Sequence, residues 1–274
     1  MKFNLEIAEF TRNLQSQNGL RHGDYHRYRR FCTRKLHRLR SSLKIQNGRH
    51  RFKKTPIPDD ISSVRFVELL VVNAERSWAH AVTLKSEYAL GESDSRGKIR
   101  HRFIKKFYRA VFWAAQLVEL ANRACDEQTI FEAEAYHLWL SGLALTEGRK
   151  YEEAMAKIHQ ATDKYTELTK QSLDVIFPNG SKAYKHRISD LEPVMRVCKY
   201  KLRLGFGVEA APMKETSPRS AGSDFESVYE MSEGEADFSS SESEMDDDDF
   251  PTSPGNKKPA GGLLGKIGGW WNKN

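Results

Sequence analysis

The sequence lacks any long apolar run, and its first residues lack the apolar core of a secretion signal. No segment approaches the roughly 20 apolar residues that a membrane-spanning helix needs. The opening "MKFNLEIAEF" mixes charged residues with apolar ones, whereas a signal peptide carries a continuous apolar stretch. We therefore expect no membrane span and a chain that resides in the cytosol, or in both nucleus and cytosol.

Cysteine is also scarce, and chemistry-bearing motifs are missing. The chain contains three cysteines, Cys32, Cys125 and Cys198. They are far apart and form no Cys-x-x-Cys pair, so we expect buried free thiols rather than disulfides or a zinc site. No phosphate-binding glycine loop, HExxH or GxSxG sequence is present. These absences predict a protein that is not an enzyme and that holds no cofactor.

Three histidines invite a metal interpretation that their surroundings oppose. His22 and His26 are spaced i, i+4, as two ligands on one helix face would be, and His37 follows in the same segment. No third ligand is apparent, and the neighbouring arginines repel a metal ion. We interpret these histidines as part of the polar face of a basic helix and predict no metal.

Acidic residues are nearly absent from two stretches. Residues 21–54 hold 13 basic residues and one acid, Asp24, and residues 96–109 hold seven basic residues and no acid. Residues 1–208 carry 38 basic and 23 acidic residues, whereas residues 209–274 carry 6 basic and 14 acidic ones. Like charges at i, i+4 repel one another, so such helices favour a polyanionic partner.

The apolar spacing predicts an all-α fold. Within "LRHGDYHRYRRFCTRKLHRLR", Tyr25, Tyr28, Cys32, Leu36 and Leu39 recur every three or four residues, which is typical of a helix face. The pattern predicts a helix from His22 to Lys44, about 34 Å long at 1.5 Å per residue.

Further segments predict helices that together make about seven. One should begin near Asp60 or Ser62, one should run from Arg96 to Cys125, and the last should span Lys182 to Leu204 with a kink or break at Pro193. Between them, a set of residues at tetratricopeptide spacing, most of them small, predicts a hairpin of two closely packed helices turned by Gly148. These residues are Gly142, Ala154, Ile158 and Ala161. We predict a helical bundle or solenoid over residues 1–204, and a disordered acidic tail with a short apolar C-terminus over 205–274.

The charge pattern favours nucleic acid over two alternatives, a merely solvated basic face and an anionic membrane surface. Arginine predominates in the first stretch, and its planar fork suits phosphate contact and stacking on the unpaired bases of RNA. Aromatic residues among the charges, such as Tyr25 and Tyr28, could stack on bases but at these positions more often belong to a core. A second hypothesis is a tetratricopeptide-like adaptor whose basic face binds acidic peptides.

The candidate contacts come from both basic stretches. They are Arg21, His22, Tyr25, Arg27, Tyr28, Arg29, Arg30, Arg34, Lys35, Arg38, Arg40, Lys44, Arg49, Arg51, Lys53, Lys54, Arg96, Lys98, Arg100, Arg102, Lys105, Lys106 and Arg109.

The segment "LRHGDYHRYRRFCTRKLHRLRSSLK" closely resembles the start of the family of the 68-kilodalton subunit of the signal recognition particle. The resemblance continues through "ELLVVNAERSWAHAVTLK", "RHRFIKKFYRAVFWAAQLVELANRAC" and "EAEAYHLWLSGLALTEGRKYEEAMAKI", and covers about residues 4–204. It implies a helical, tetratricopeptide-like domain without catalysis that binds and remodels the particle's RNA through an arginine-rich helix.

By the same resemblance, the partners are the RNA of the signal recognition particle and, indirectly, the ribosome. The implied location is the cytoplasm, with assembly in the nucleolus and delivery to the endoplasmic reticulum. Family members continue with further helices that hold the binding region for the 72-kilodalton subunit. That region is absent here after Leu204, so the resemblance leaves this partner open.

Overall fold

Seven α-helices account for most of the described chain. A computed structural model describes residues 2–45, 57–58, 61–90, 96–174 and 178–205, with side chains described except at 172–174 and 178–180. The elements are α1 (Ile7–Gln17), a 3₁₀ turn (Leu20–His22), α2 (Tyr25–Ser42), α3 (Arg65–Leu90), α4 (Arg96–Ala124), α5 (Glu127–Glu147), α6 (Tyr151–Asp174) and α7 (Pro178–Arg203). The prediction of an all-α fold with about seven helices is confirmed.

The helices pack in chain order. Each helix from α2 to α7 packs on the next, and α1 contacts α3, α5 and α7. One core of buried apolar residues runs through these contacts. Every described residue belongs to one compact unit, made of Met1–Gln46 and Thr55–Val208. The predicted tail from 206 onwards lies outside the described residues, so its disorder and the domain boundary stay predictions.

The α5–α6 hairpin confirms the predicted packing of small residues. Ala154, Ile158 and Ala161 are fully buried, and a Cβ added at Gly142 would lie 2.6 Å from Ile158 Cγ1. The turn differs in one detail, because the left-handed residue is Arg149, with φ +67°. Gly148 has φ −72° and only ends α5.

Two predicted boundaries are wrong. Helix α3 begins at Arg65 rather than near Asp60 or Ser62, and the Ser63 hydroxyl accepts a hydrogen bond from the Arg65 amide at 3.3 Å. Helix α7 begins earlier than Lys182 and continues through Pro193. A proline removes one backbone hydrogen bond, and the packing of α7 on α6 and α1 holds the helix together across that loss.

A buried carboxylate fastens α1 to α5 and α7. Glu132 of α5 accepts a hydrogen bond from the Ala8 amide at 3.0 Å and another from the Tyr184 hydroxyl. Burial raises the pKa of Glu132 to about 7. From α7, the buried Arg187 guanidinium donates to the Thr11 hydroxyl of α1 at 2.7 Å. The first and last helices are therefore joined by polar contacts inside the core.

The structure confirms the expected state of the cysteines, which are buried free thiols. None of the helices in the described parts of the chain has an apolar stretch long enough to cross a membrane.

Candidate nucleic-acid interface

Two glycines and an aspartate determine where α2 begins. Gly19 (φ +115°) and Gly23 (φ +71°) take the left-handed conformation on either side of the 3₁₀ turn, where a side chain would be strained. The Asp24 carboxylate then accepts a hydrogen bond from the Arg27 amide at 2.8 Å and caps the helix. The predicted start at His22 is therefore wrong, because His22 belongs to the preceding turn and α2 begins at Tyr25.

The apolar seam of α2 attaches it to α3. Tyr28, Cys32, Leu36 and Leu39 are buried, and α3 is the helix on which α2 chiefly packs. The Tyr28 hydroxyl donates to the buried Glu75 carboxylate of α3 at 2.7 Å. Tyr28 is fully buried, so the prediction that it contacts RNA directly is wrong. Its side chain instead positions α2 on α3.

Glu75 is a junction for three helices besides its own. Its carboxylate also accepts hydrogen bonds from Gln15 of α1 and from Tyr136 of α5, each at 2.8 Å. Close by, the half-buried Tyr25 ring meets Trp78 of α3 edge-on, with ring centroids 5.7 Å apart. Sequence reasoning missed Glu75, because nothing in the local pattern distinguishes a buried glutamate from the exposed ones around it.

An arginine stripe runs along the side of α2 that faces away from α3. Arg27, Arg30, Arg34 and Arg38 are exposed, and their spacing places them on one helix face; we call them the outer stripe. Three of them line a pocket of about 370 Å³, together with His26, Phe31, Asp24 and Asn18. We call this cavity the α2 pocket.

A second set of cations, from α2, α3 and α4, acts on one residue of α3. Arg29 of α2, Lys106 and Arg102 of α4, and Arg76 of α3 itself all act electrostatically on His80 of α3. Burial and these four cations lower the pKa of His80 to about 3. Arg29, Arg76, Arg102 and Lys106, with His80 between them, form what we call the shared basic surface. The two basic stretches, about 70 residues apart in sequence, therefore converge.

Several predicted contact residues have partners within the protein. Lys35 lies 3.5 Å from the Glu68 carboxylate of α3 and 4.9 Å from the centre of the Phe10 ring. The Arg100 guanidinium donates to the Glu147 backbone carbonyl at 3.2 Å, and Arg96 lies over the Tyr88 ring at 5.9 Å. These three cations therefore face protein groups.

The remaining predicted residues divide into exposed, half-buried and undescribed ones. Exposed residues are Arg21, His22, Lys44, Lys98 and Lys105. Arg40 and Arg109 are half-buried. Arg49, Arg51, Lys53 and Lys54 lie outside the described residues. Arg76 and His80 of α3 were also missed. Their i, i+4 spacing does not indicate a binding surface unless it is known that α2 and α4 both pack on α3.

The described residues contain no candidate metal site. Across the ranges that the structure describes, no three His, Cys, Asp or Glu side chains are grouped to hold a metal ion. The arrangement of the basic helices suits the neutralisation of a polyanion.

Comparison with known proteins gives a family match over most of the chain. A family model described as "RNA-binding signal recognition particle 68" matches residues 20–252. The match continues beyond Leu204, where the resemblance seen in the sequence ends.

Two curated relatives cover similar shares of the chain. Signal recognition particle subunit SRP68 of Dictyostelium discoideum is 32% identical over 209 residues, and the subunit of the same name from Drosophila melanogaster is 33% identical over 210 residues. Each alignment covers 74% of this chain and 33% of the relative. The chain thus spans about a third of the length of these relatives.

A solved structure has the same helical fold. The SRP68-RBD from Chaetomium thermophilum matches with a TM-score of 0.60 and 24% sequence identity, over 73% of this chain and 91% of that one. This similarity independently supports the order and packing of the helices described above.

Proposed function

Because the chain belongs to the family described as RNA-binding signal recognition particle 68, we propose that it is an RNA-binding subunit of that particle. Its ligand is the particle's structured RNA, which it binds and remodels for co-translational targeting of proteins to the endoplasmic reticulum. It acts as a scaffold without catalysis of its own.

One feature carries this proposal: α2 and α4 both pack on α3, and cations of both helices lower the pKa of His80 on α3. An isolated basic helix could be a solvated face, but two such helices brought together across a third concentrate positive potential on one surface. A duplex or folded RNA presents phosphates from two strands, and neutralising them releases counterions. The outer stripe and the shared basic surface therefore supply the phosphate contacts in this proposal.

The finer parts of the proposal follow from the family. The predicted contact residues with exposed or half-buried cations bind the RNA, and α2 is the helix that enters its groove. The chain meets the ribosome only through the assembled particle. It works in the cytoplasm, after assembly in the nucleolus, and reaches the endoplasmic reticulum with the particle. Binding to the 72-kilodalton subunit is not included.

A salt-dependent titration tests the proposal. The full chain is titrated with the particle's RNA, with an unrelated RNA duplex of equal length and with an acidic peptide. We expect a preference for the particle's RNA and an affinity that falls about 10³–10⁵-fold between 50 and 200 mM salt if six to ten phosphates are contacted.

A matched pair of variants tests the surface. Arg29→Gln with Lys106→Gln removes two charges from the shared basic surface, whereas Lys170→Gln with Lys185→Gln removes two exposed charges from α6 and α7. The first pair should weaken RNA binding much more than the second. Equal effects of the two pairs, or equal affinity for both RNAs, would contradict the proposal. A flat salt dependence with tight binding of the acidic peptide would instead support the adaptor hypothesis.

A further inference from the structure

The α2 pocket contains groups that phosphate binding does not need. Arginines of the outer stripe surround it, yet an aspartate, an asparagine and a phenylalanine also line it. A carboxylate repels phosphate, and an aromatic ring offers it nothing. The mixture of cationic donors, a carboxylate and a ring matches a nucleobase better than it matches a backbone anion.

The aromatic wall of the pocket is held in place from inside the protein. The Phe31 ring is nearly parallel to the Tyr28 ring, at 19°, with centroids 6.4 Å apart. Tyr28 is itself locked by its hydrogen bond to the buried Glu75. Phe31 is half-buried, and its ring packs against this anchored tyrosine. The pocket therefore offers a fixed apolar surface on which a base can stack.

The acceptors of the pocket are equally fixed. One oxygen of Asp24 accepts the Arg27 amide that begins α2, which orients the carboxylate and leaves its second oxygen as a further acceptor. The Asn18 amide nitrogen donates to the Leu14 carbonyl at 2.8 Å, so the Asn18 side-chain oxygen is the atom left to accept. Donors and acceptors are thus both present around one ring.

Resting on the proposed RNA-binding function, we infer that the α2 pocket binds an unpaired guanine nucleotide of the RNA. Guanine combines two acceptors that match an arginine fork, O6 and N7, with adjacent N1–H and N2–H donors that a carboxylate can accept. Adenine, cytosine and uracil all lack the paired N1–H and N2–H donors, and none of them combines the two pairs. A cavity of about 370 Å³ lies in the size range of small-ligand pockets.

Trinucleotides provide a direct test with the full chain. UGU, UAU, UCU and UUU carry equal charge and differ only in the central base, so any difference in affinity reports base recognition. We expect UGU to bind about 5- to 100-fold more tightly than the other three, the range for a good bidentate base contact. The amide resonances of Asp24, Arg27 and Phe31 should shift most on binding.

Variants separate base recognition from charge. Asp24→Asn retains a good helix cap and should reduce the preference for UGU below about threefold, because an amide offers one acceptor fewer. Asp163→Asn removes an equal charge from an exposed position on α6 and should leave the preference intact. Phe31→Ala should weaken all four trinucleotides, because stacking does not depend on the base.

Two outcomes would overturn the inference: equal affinity for the four trinucleotides, or a preference for a base other than guanine. Either can occur while the particle's RNA still binds with a steep salt dependence, in which case the inference fails and the proposed function stands. Loss of RNA binding itself in the titration described above would instead refute the proposed function.

Discussion

Helices α2 and α4 carry similar charge but are built into the fold in different ways. Helix α2 is basic from end to end and packs chiefly on α3 through one narrow seam. Helix α4 is basic only in its first half, and its second half lies between α3 and α5 with buried residues such as Ala114 and Leu117. A long apolar extension therefore holds α4 in the fold, whereas α2 is held by one apolar seam and by the buried hydrogen bond from Tyr28 to Glu75.

The largest expected effect comes from removing the acceptor that holds α2. Glu75→Ala leaves the Tyr28 and Tyr136 hydroxyls and the Gln15 amide without their shared carboxylate. We expect a loss of roughly 3–5 kcal/mol in the free energy of unfolding, because each buried polar group left without its partner costs about 1–3 kcal/mol. Hydrogen exchange should show that the amides of α2 lose more protection than those of α4.

A surface glutamate serves as the control for that experiment. Glu68 lies on α3, as Glu75 does, and Glu68→Ala removes the ion-pair partner of Lys35 of α2. Partly exposed ion pairs contribute about 0–1 kcal/mol to stability. If Glu68→Ala costs as much as Glu75→Ala, or if α4 loses protection as readily as α2, the two helices are attached in the same way and the contrast is wrong.

The second effect concerns His80, where the charges of the two helices meet. Its pKa of about 3 lies below the ordinary value of about 6.5. His80 therefore binds a proton more readily in the unfolded chain than in the folded one. Its contribution to the free energy of unfolding is complete above about pH 6.5 and is lost as the pH falls towards 3. By pH 5 the loss should be about 2 kcal/mol.

His80→Gln should remove that pH dependence. Urea unfolding at pH 7 and pH 5 should show the variant losing about 2 kcal/mol less than the wild type.

An NMR titration extends the comparison of the helices. Arg29 is the largest cationic contributor to the shift of the His80 pKa, so Arg29→Gln should raise that pKa more than Lys106→Gln does. His137, near Lys157 of α6, should not respond to either. If the stability of wild type and His80→Gln depended equally on pH, the folded protein would not lower the pKa of His80.

The third effect compares the two helices as RNA ligands. Arg34→Gln with Arg38→Gln, and Lys98→Gln with Lys105→Gln, each remove two charges from exposed positions of one helix. The α2 pair should weaken binding of the particle's RNA about tenfold and lower the salt slope by about 1.5. The α4 pair should have the smaller effect, because α2 is basic along its whole length. A larger loss from the α4 pair would place the inserted helix at α4.

The sequence predicted the part of this contrast that is local. The apolar spacing of α2 predicted its buried seam, because a helix repeats its face every three to four residues. The close α5–α6 crossing at Gly142 was predicted for the same reason, since small residues recur at the spacing of one helix face.

What remained unpredicted depends on contacts between distant residues. Glu75 and Glu132 are buried because tyrosines from other helices donate to them, and single-sequence patterns give no sign of those partners. The shared basic surface depends on the packing of both α2 and α4 on α3. Helix starts were misplaced where capping decided them: Asp24 overrode the pattern that included His22, and the chain entered α3 only at Arg65.

The smallest effect distinguishes how α2 and α4 begin. Gly23 precedes the cap of α2 with φ +71°, whereas Gly97 lies in the first turn of α4, and neither would bring an added Cβ within 4 Å of another atom. An added methyl group therefore meets no neighbouring atom at either position, and the two sites differ only in their backbone conformation. Gly23→Ala should cost about 1–2 kcal/mol, because a side chain disfavours the left-handed conformation, while Gly97→Ala should stabilise by about 0.5–1 kcal/mol. Gly23→Asn should lose less than Gly23→Ala, because asparagine tolerates that conformation. Chemical denaturation measures all three, and a stabilising Gly23→Ala would show that α2 does not need the left-handed turn from which its arginines are presented.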